Sequence, residues 1–151
     1  MSRLATFALA ATITFGSLLA LSIAEPGAPE IPDPALTPGA VASTDAREIC
    51  GEVAGLTYSR QHRQTTREMK AEVRQRYGVP QGWRGEIDHR VPLCLGGADV
   101  VENLWPQTDF QAKDELEAQA CRAVCHGQMT VQQGQAIFLG DWRAYLRPLA
   151  Q

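Results

Sequence analysis

The placement of the four cysteines constrains this chain more than any other feature of its sequence. They stand at Cys50, Cys94, Cys121 and Cys125. An even number of cysteines in an exported chain predicts two disulfides, with three possible pairings. A zinc site that combines the last three cysteines with His126 is the alternative, although the Cys-x-x-x-Cys spacing matches structural zinc sites only loosely. Cys121 and Cys125 lie one turn apart on a predicted helix, so we expect each to pair with a distant partner.

The N-terminus has the pattern of an export signal. Residues 1–3 carry one positive charge, residues 4–24 carry none, and the stretch ends in the small-x-small sequence Ser22-Ile23-Ala24. We therefore predict a signal peptide over residues 1–24, with cleavage after Ala24. An uncleaved membrane anchor is the alternative, because the uncharged stretch is long enough to span a bilayer. Both alternatives place the rest of the chain outside the cytoplasm.

Residues 25–45 differ in composition from everything that follows them. They hold five of the nine prolines and four acidic residues but no basic residue. Such a segment buries too little apolar surface to offset its ordering entropy, which predicts a semi-extended linker. The remaining residues, 46–151, are predicted to form one domain with 13 acidic and 13 basic residues. That neutral balance excludes a polycation that holds nucleic acid through bulk charge.

Residues 65–77 carry strong helix signals. Thr65 and Glu68 have the spacing of a capping box, and an apolar residue recurs every fourth position from Met69 to Tyr77. The pattern predicts a helix over these residues. Four basic residues share another face at spacings of four, three and four: Arg63, Arg67, Lys70 and Arg74. A solvated face and a phosphate-contacting face both fit this stripe, and its position next to the segment described below favours phosphate contacts.

Residues 86–106 are predicted to form a short hairpin. Residues 86–93 alternate between apolar and polar and predict a strand, Gly96-Gly97 predicts a turn, and Val100-Val101 predicts a short return strand. Residues 103–106 are expected to form a loop. Because adjacent strand residues face opposite sides, an Asp-His pair on this strand needs a bend to reach one site.

Two further helices are predicted after the hairpin. A capping box at Thr108 predicts a helix that ends at His126, and a second box at Thr130 predicts a third helix. Apolar residues at helical spacing are expected to form the buried side of the longer helix: Phe110, Leu116, Ala120 and Val124. Three residues near the C-terminus are expected to close the core: Trp142, Tyr145 and Leu146.

The segment from Asp88 to Pro106 carries the most specific pattern in the chain. Asp88-His89 is followed by Gly96-Gly97 and then by Asn103-Leu104-Trp105-Pro106. This order resembles the ββα-metal finger of HNH endonucleases, and further motifs resemble those of small exported bacterial HNH-like proteins. Those motifs are Ile49-Cys50, Arg76-Tyr77-Gly78, residues 112–117 and Val124-Cys125. The resemblance implies an α+β fold, with a ββα-metal (HNH-like) finger, additional flanking helices and stapling disulfides.

Phosphodiester hydrolysis gives these residues plausible chemical roles. The neutral imidazole of His89 can take a proton from water near pH 7, and Asp88 can hold a divalent cation. The resemblance implies that Asn103 orients the imidazole or braces the loop around it. The expected cofactor is a divalent metal ion, Mg²⁺ first, with Mn²⁺ or Zn²⁺ as alternatives.

The pattern departs from the family on the helix. The usual ligand would fall near Ala112, which has no ligand atom, and Gln111 and Asp114 flank that position. Asp114 is the expected second metal ligand, with a solvated first-turn acid as the alternative. Lys113 is expected to contact a phosphate or to pair with Glu117 one turn on.

The resemblance also implies a disulfide pairing, because Cys50 and Cys125 stand where the family places its cysteines. The expected bridges are Cys50–Cys125 and Cys94–Cys121. The resemblance implies an exported, metal-dependent endonuclease that acts on DNA or RNA with little sequence preference. A nucleic-acid or envelope binding module without catalysis and a structural domain on a tether remain the alternatives.

Overall fold

A computed structural model describes residues 30–108 and 110–146. The predicted signal peptide and the first residues of the predicted linker lie outside the described residues. Within the described part of the chain, no helix is long and apolar enough to cross a membrane. The described residues form a mixed helix and sheet fold of the α+β class, as expected.

Five α-helices and two small antiparallel sheets make up the described fold. The helices are α1 (Ala46–Cys50), α2 (Tyr58–His62), α3 (Arg67–Arg76), α4 (Phe110–Cys125) and α5 (Val131–Leu139). The strands are β1 (Glu52–Val53) paired with β2 (Leu56–Thr57), and β3 (Glu86–His89) paired with β4 (Leu104–Gln107). Three short 3₁₀ turns complete it: Leu93–Leu95, Val101–Asn103 and Trp142–Tyr145.

The hairpin β3–β4 differs from the prediction in both of its strands. The first strand ends at His89 instead of residue 93, and a 3₁₀ turn stands where Val100-Val101 was expected to return. The return strand is Leu104–Gln107, which was predicted as a loop. Pro106 fits this strand because its position across from Ile87, in a sheet of two strands, needs no backbone donor. Leu104 and Trp105 are buried, and that burial favours the strand.

The turn at Gly96-Gly97 is confirmed, and close packing explains why both residues are glycines. Gly96 has a φ of 78°, in the left-handed region. A Cβ on Gly97 would lie 2.0 Å from the Val91 carbonyl oxygen, so any side chain there would displace the backbone.

Helix α3 begins one residue later than the capping box predicted. The Thr66 hydroxyl, not the Thr65 hydroxyl, accepts the Met69 N–H at 3.2 Å. Thr65 is used elsewhere, because its hydroxyl donates to Asp99. Val73 forms the buried centre of the predicted apolar stripe.

Helices α4 and α5 enclose the main core. On α4 the predicted positions Leu116, Ala120 and Val124 are buried, and Lys113 joins them on that face. The capping box between Thr130 and Gln133 at the start of α5 is confirmed. The core also contains Ile49, Leu95, Val131, Ile137, Phe138 and Trp142.

Tyr145 does not close the core as expected, because it is largely exposed. Trp142 is buried and Leu146 packs against the core.

Two disulfides join helix α4 to other parts of the fold. Cys50–Cys125 ties α1 to the end of α4, and Cys94–Cys121 ties the Leu93–Leu95 turn to the middle of α4. This is the expected pairing, and it leaves no cysteine free to bind zinc. Two disulfides indicate that the protein matures in an oxidising environment.

The second half of the predicted linker packs on the folded domain. The domain therefore begins before residue 46, where the sequence predicted its start. Thr37 is fully buried, and its hydroxyl donates to the Leu104 carbonyl at 2.8 Å. The Ala42 N–H donates to the Gly96 carbonyl at 2.8 Å, and Val41 forms a bridge with Gly97. These hydrogen bonds to the folded domain offset the entropy that the segment loses on ordering. Its composition gave no sign of them.

Candidate functional site

The end of strand β3 brings Asp88 and His89 together. His89 is the last residue of the strand, and the chain bends directly after it at residues 90 and 91. Its Nδ1 lies 3.9 Å from the Asp88 Oδ1. The Asp88 side chain is 15% exposed and the His89 side chain is 3% exposed. The predicted pair therefore shares one site, with the carboxylate on its open side.

The other nitrogen of His89 meets an aspartate that the sequence analysis did not identify. The His89 Nε2 lies 2.8 Å from the Asp99 Oδ1. Asp99 also accepts the Thr65 hydroxyl at 2.6 Å and the backbone N–H of Gln64. The available signal was position: Asp99 is the only acid in the turn between the Asp-His pair and residue 101.

Asn103 braces the loop, which is one of the two roles expected for it. Its side-chain amide donates to the carbonyls of Val91 and Ala98 at 2.9 and 2.8 Å. Its oxygen accepts the N–H of Val91 at 2.9 Å and that of Ala40 at 3.3 Å. Asn103 is fully buried and bonds only to backbone groups in the described contacts. It therefore holds the Gly96-Gly97 loop against the end of β3.

Lys113 is buried and does not face solvent as a phosphate contact would. The Lys113 side chain is 1% exposed, and its Nζ lies 2.5 Å from the Asp88 Oδ2 and in contact with Glu117. This corrects the phosphate-contact prediction and confirms the alternative pairing with Glu117. A lysine at this position packs its stem in the core, where its ammonium also lies 5.6 Å from the centre of the Phe138 ring.

The three charges in this buried group shift one another's pKa values. Burial would lower the pKa of Lys113, but the charges of Glu117 and Asp88 outweigh it and raise that pKa. Burial also raises the pKa of Glu117, to about 7, against the opposing charge of Lys113. Burial would raise the pKa of Asp88 as well, but His89 and Lys113 hold it below its ordinary value. Asp88 is therefore the carboxylate that stays ionised.

A cluster of three carboxylates lies beside the ion pairs of Lys113. One oxygen each of Glu86, Asp88 and Asp114 lies within 4.8 Å of the others. The structure thus brings together the two predicted metal ligands and adds Glu86. Glu86 and Asp88 are two residues apart on β3, and side chains at that spacing share a face of a strand. That spacing was the signal available in the sequence.

Burial and mutual repulsion raise the pKa of the two outer carboxyls. Burial and the charges of Asp88 and Asp114 raise the pKa of Glu86. Burial and the charge of Asp88 raise the pKa of Asp114, although Lys113 opposes the shift. A bound cation would relieve this repulsion. Three converging carboxylate oxygens, two of them on exposed residues, fit a hard divalent cation.

The predicted basic stripe lies on two elements instead of one helix. Arg63 follows α2, and its backbone N–H donates to the Ser59 carbonyl at 3.1 Å. Arg67, Lys70 and Arg74 lie on α3, where Lys70 is half-buried and the two arginines are exposed. The charge of Arg63 acts to lower the pKa of Glu86, a member of the acidic cluster. Helix α3 packs against β4, the strand paired with β3.

Comparisons with known protein families, with curated proteins and with solved structures find no match to this chain. The contacts, burial and charges of the residues above are therefore the basis for the function given to the site.

Proposed function

We propose that the protein is an exported, metal-dependent HNH-type endonuclease that hydrolyses phosphodiester bonds of DNA or RNA with little sequence preference. One observation carries the proposal. The imidazole of His89 lies 3.9 Å from a carboxylate, Asp88, that also belongs to a cluster of three. A proton acceptor and a cation site side by side are what hydrolysis of a phosphodiester requires.

His89 serves as the general base. A water molecule gives its proton to the imidazole as its oxygen bonds to phosphorus, and the bond from phosphorus to the 3′ oxygen breaks. The leaving oxygen takes a proton from solvent. Asn103 contributes by holding the loop that follows His89, since its amide bonds to Val91 on both backbone groups.

Glu86, Asp88 and Asp114 are the residues that would hold the metal ion. When bound, a divalent cation supplies positive charge that stabilises the phosphate and the leaving oxygen. An all-carboxylate donor set favours Mg²⁺ or Mn²⁺ over Zn²⁺, which prefers nitrogen and sulfur ligands. His89 and Lys113 hold the pKa of Asp88 below its ordinary value, so this carboxylate is ionised at neutral pH and can bind a cation.

The basic residues of the stripe are the proposed contacts to the nucleic-acid backbone. The charge of Arg63 acts on Glu86, a member of the acidic cluster, and Arg67, Lys70 and Arg74 lie on α3. Phosphate contacts of this kind position a substrate without reading its sequence. Export fits the two disulfides, which require an oxidising environment.

A binding module without catalysis is the second candidate, and one observation favours it. The Asp88 carboxylate already has a cationic partner in the buried Lys113, and the imidazole beside it is almost fully buried. In that case the hairpin would serve as a scaffold for the basic stripe, with salt-sensitive nucleic-acid binding and no cleavage.

Nicking of a supercoiled plasmid by the purified, oxidised protein separates the two candidates. The assay compares Mg²⁺, Mn²⁺ and Zn²⁺ with a chelator. The nuclease proposal expects cleavage that needs the cation and falls at least about 100-fold in His89→Ala, the usual contribution of a general base. His126→Ala is the matched control, because this histidine is exposed just after the end of α4. Equal cleavage by the wild type and His89→Ala would remove the proposal, and plasmid binding without cleavage would favour the module.

A further inference from the structure

Asp99 is a buried carboxylate that receives several hydrogen bonds beside the proposed base. Its side chain is 6% exposed, and its Oδ1 lies 2.8 Å from the His89 Nε2 and 2.6 Å from the Thr65 hydroxyl. The backbone N–H of Gln64 contacts its Oδ2. Neither the sequence pattern nor the proposed reaction uses this residue.

The surroundings of Asp99 decide which nitrogen of His89 carries a proton. Burial would raise the pKa of Asp99, but hydrogen bonds from Thr65 and Gln64 and the nearby His89 hold it below its ordinary value. An ionised carboxylate only accepts hydrogen bonds. The contact of 2.8 Å with the His89 Nε2 therefore requires a hydrogen on Nε2.

We propose that Asp99 is a positioning residue that fixes His89 as the Nε2–H tautomer and leaves Nδ1 as the proton acceptor. The assignment follows from the hydrogen-bond network, as tautomers generally do. Its catalytic consequence rests on the proposed nuclease function. Nδ1 is the nitrogen that faces Asp88, and Asp88 belongs to the carboxylate cluster. Asp99 thus directs the lone pair of the base toward the proposed cation site, and its charge stabilises the imidazolium formed when Nδ1 takes a proton.

The substitution Asp99→Asn tests this directly, because the surroundings dictate how an amide would sit. The backbone N–H of Gln64 donates to Oδ2, so an amide that keeps this hydrogen bond places its oxygen at the Oδ2 position. The amide NH₂ then takes the place of Oδ1 and donates to His89 Nε2. His89 is thereby forced into the Nδ1–H tautomer, in which the nitrogen facing Asp88 can no longer accept a proton.

Nitrogen-15 NMR of histidine-labelled full-length protein reads the tautomer without any reference to activity. The spectra are recorded where the neutral ring predominates, and the His89 signals are identified by their loss in His89→Gln. We expect the Nε2–H pattern in the wild type and in the control Asp141→Asn, and the Nδ1–H pattern in Asp99→Asn. A wild-type protein with the Nδ1–H pattern would overturn the proposal even if no variant folds.

Plasmid cleavage supplies the second readout. We expect kcat of Asp99→Asn to fall at least about 100-fold, with plasmid affinity within about twofold of the wild type. An Asp99→Asn protein that keeps the Nε2–H pattern contradicts the proposal, whatever its activity. If the wild type cleaves nothing but the tautomer inverts in Asp99→Asn, then the positioning role stands and the nuclease function fails.

Discussion

Two cations are buried near the end of strand β3, and they are neutralised in different ways. Lys113 sits between two carboxylates, Asp88 and Glu117. Among the described residues, Arg90 has only carbonyl partners: it donates to the Thr37 carbonyl at 2.6 Å, to the Phe138 carbonyl at 3.4 Å and to the Leu139 carbonyl. Phe138 and Leu139 end α5, where a helix dipole presents partial negative charge.

Lys113 is therefore part of the candidate site, whereas Arg90 only supports the fold. Arg90 joins the N-terminal segment at Thr37 to the end of α5, and it touches no carboxylate among the described contacts. Lys113 helps His89 to hold the pKa of Asp88 below its ordinary value, so it links the core of α4 to the carboxylate cluster. Changes at Arg90 should therefore act on stability alone, whereas changes at Lys113 should act on stability and on the site together.

The largest effect is expected from Lys113→Met. This change leaves two partly exposed carboxylates, Asp88 and Glu117, without their buried cationic partner. Removing one member of a buried ion pair costs about 3–5 kcal/mol of unfolding free energy. Urea unfolding measures the loss. The double variant Lys113→Met/Glu117→Gln removes one of the two negative charges and should recover part of the stability. A loss under about 1 kcal/mol in Lys113→Met would show that the ion pairs do not support the core.

A somewhat smaller loss is expected from Arg90→Met. Two buried carbonyls and the partly buried carbonyl of Leu139 lose their donor. Each unsatisfied buried group costs about 1–3 kcal/mol before water or backbone movement relieves it, so we expect a loss of about 3 kcal/mol. Urea unfolding again gives the value, and cation binding at the carboxylate cluster should not change. A variant of full stability would contradict the role of Arg90 in holding the segment at Thr37.

The raised pKa of Glu117 predicts a pH dependence of stability. The folded-state pKa is about 7 against an ordinary value of 4.5, so the folded state binds more protons than the unfolded state between these values. The unfolding free energy should therefore fall as pH rises from about 4.5 to 7. Asp88 has a lowered pKa, so it is ionised in both states throughout that window and adds no slope there.

Glu117→Gln should reduce the fall in unfolding free energy between about pH 4.5 and 7. Glu115→Gln, at an exposed position of the same helix, is the matched control. Urea midpoints measured at several pH values between 4.5 and 7.5 test the expectation. Parallel curves for the wild type and Glu117→Gln would mean that another group sets the dependence.

The smallest effect is expected on the basic stripe. Charge reversal in Arg67→Glu/Lys70→Glu should weaken DNA binding and reduce the slope of log affinity against log salt by about 2, one for each phosphate contact. Arg122→Glu, on an exposed part of α4, is the control. Fluorescence anisotropy with a labelled duplex measures both quantities. Unchanged affinity would assign the stripe to ordinary solvated surface.

The parts of the fold that local chemistry determines were predictable from the sequence. The Thr130 capping box, the glycine turn at 96–97 and the buried face of α4 all depend on residues near one another in the chain. The linker boundary was wrong because the segment around Thr37 is ordered by partners more than fifty residues away, such as Arg90 and Leu104. Composition contains no information about such partners.

The candidate site shows the same division. Asp88 and Asp114 were predicted as ligands and do lie together, although 26 residues separate them in the chain. Asp99 and the inward turn of Lys113 were missed, because each depends on how the loop and α4 pack against β3. A sequence motif identifies the reactive residues. Tertiary packing determines which neighbouring residues set their charge and orientation.

The central claim is that Glu86, Asp88 and Asp114 form a cation site beside His89, and Mn²⁺ binding tests it most directly. Electron paramagnetic resonance measures free and bound Mn²⁺ during a titration of the purified protein, with no need for activity. The account predicts one site in the wild type that is lost in Glu86→Gln/Asp114→Asn and kept in Glu115→Gln. A wild-type protein that binds no Mn²⁺, or a double variant that binds it equally well, would contradict the account.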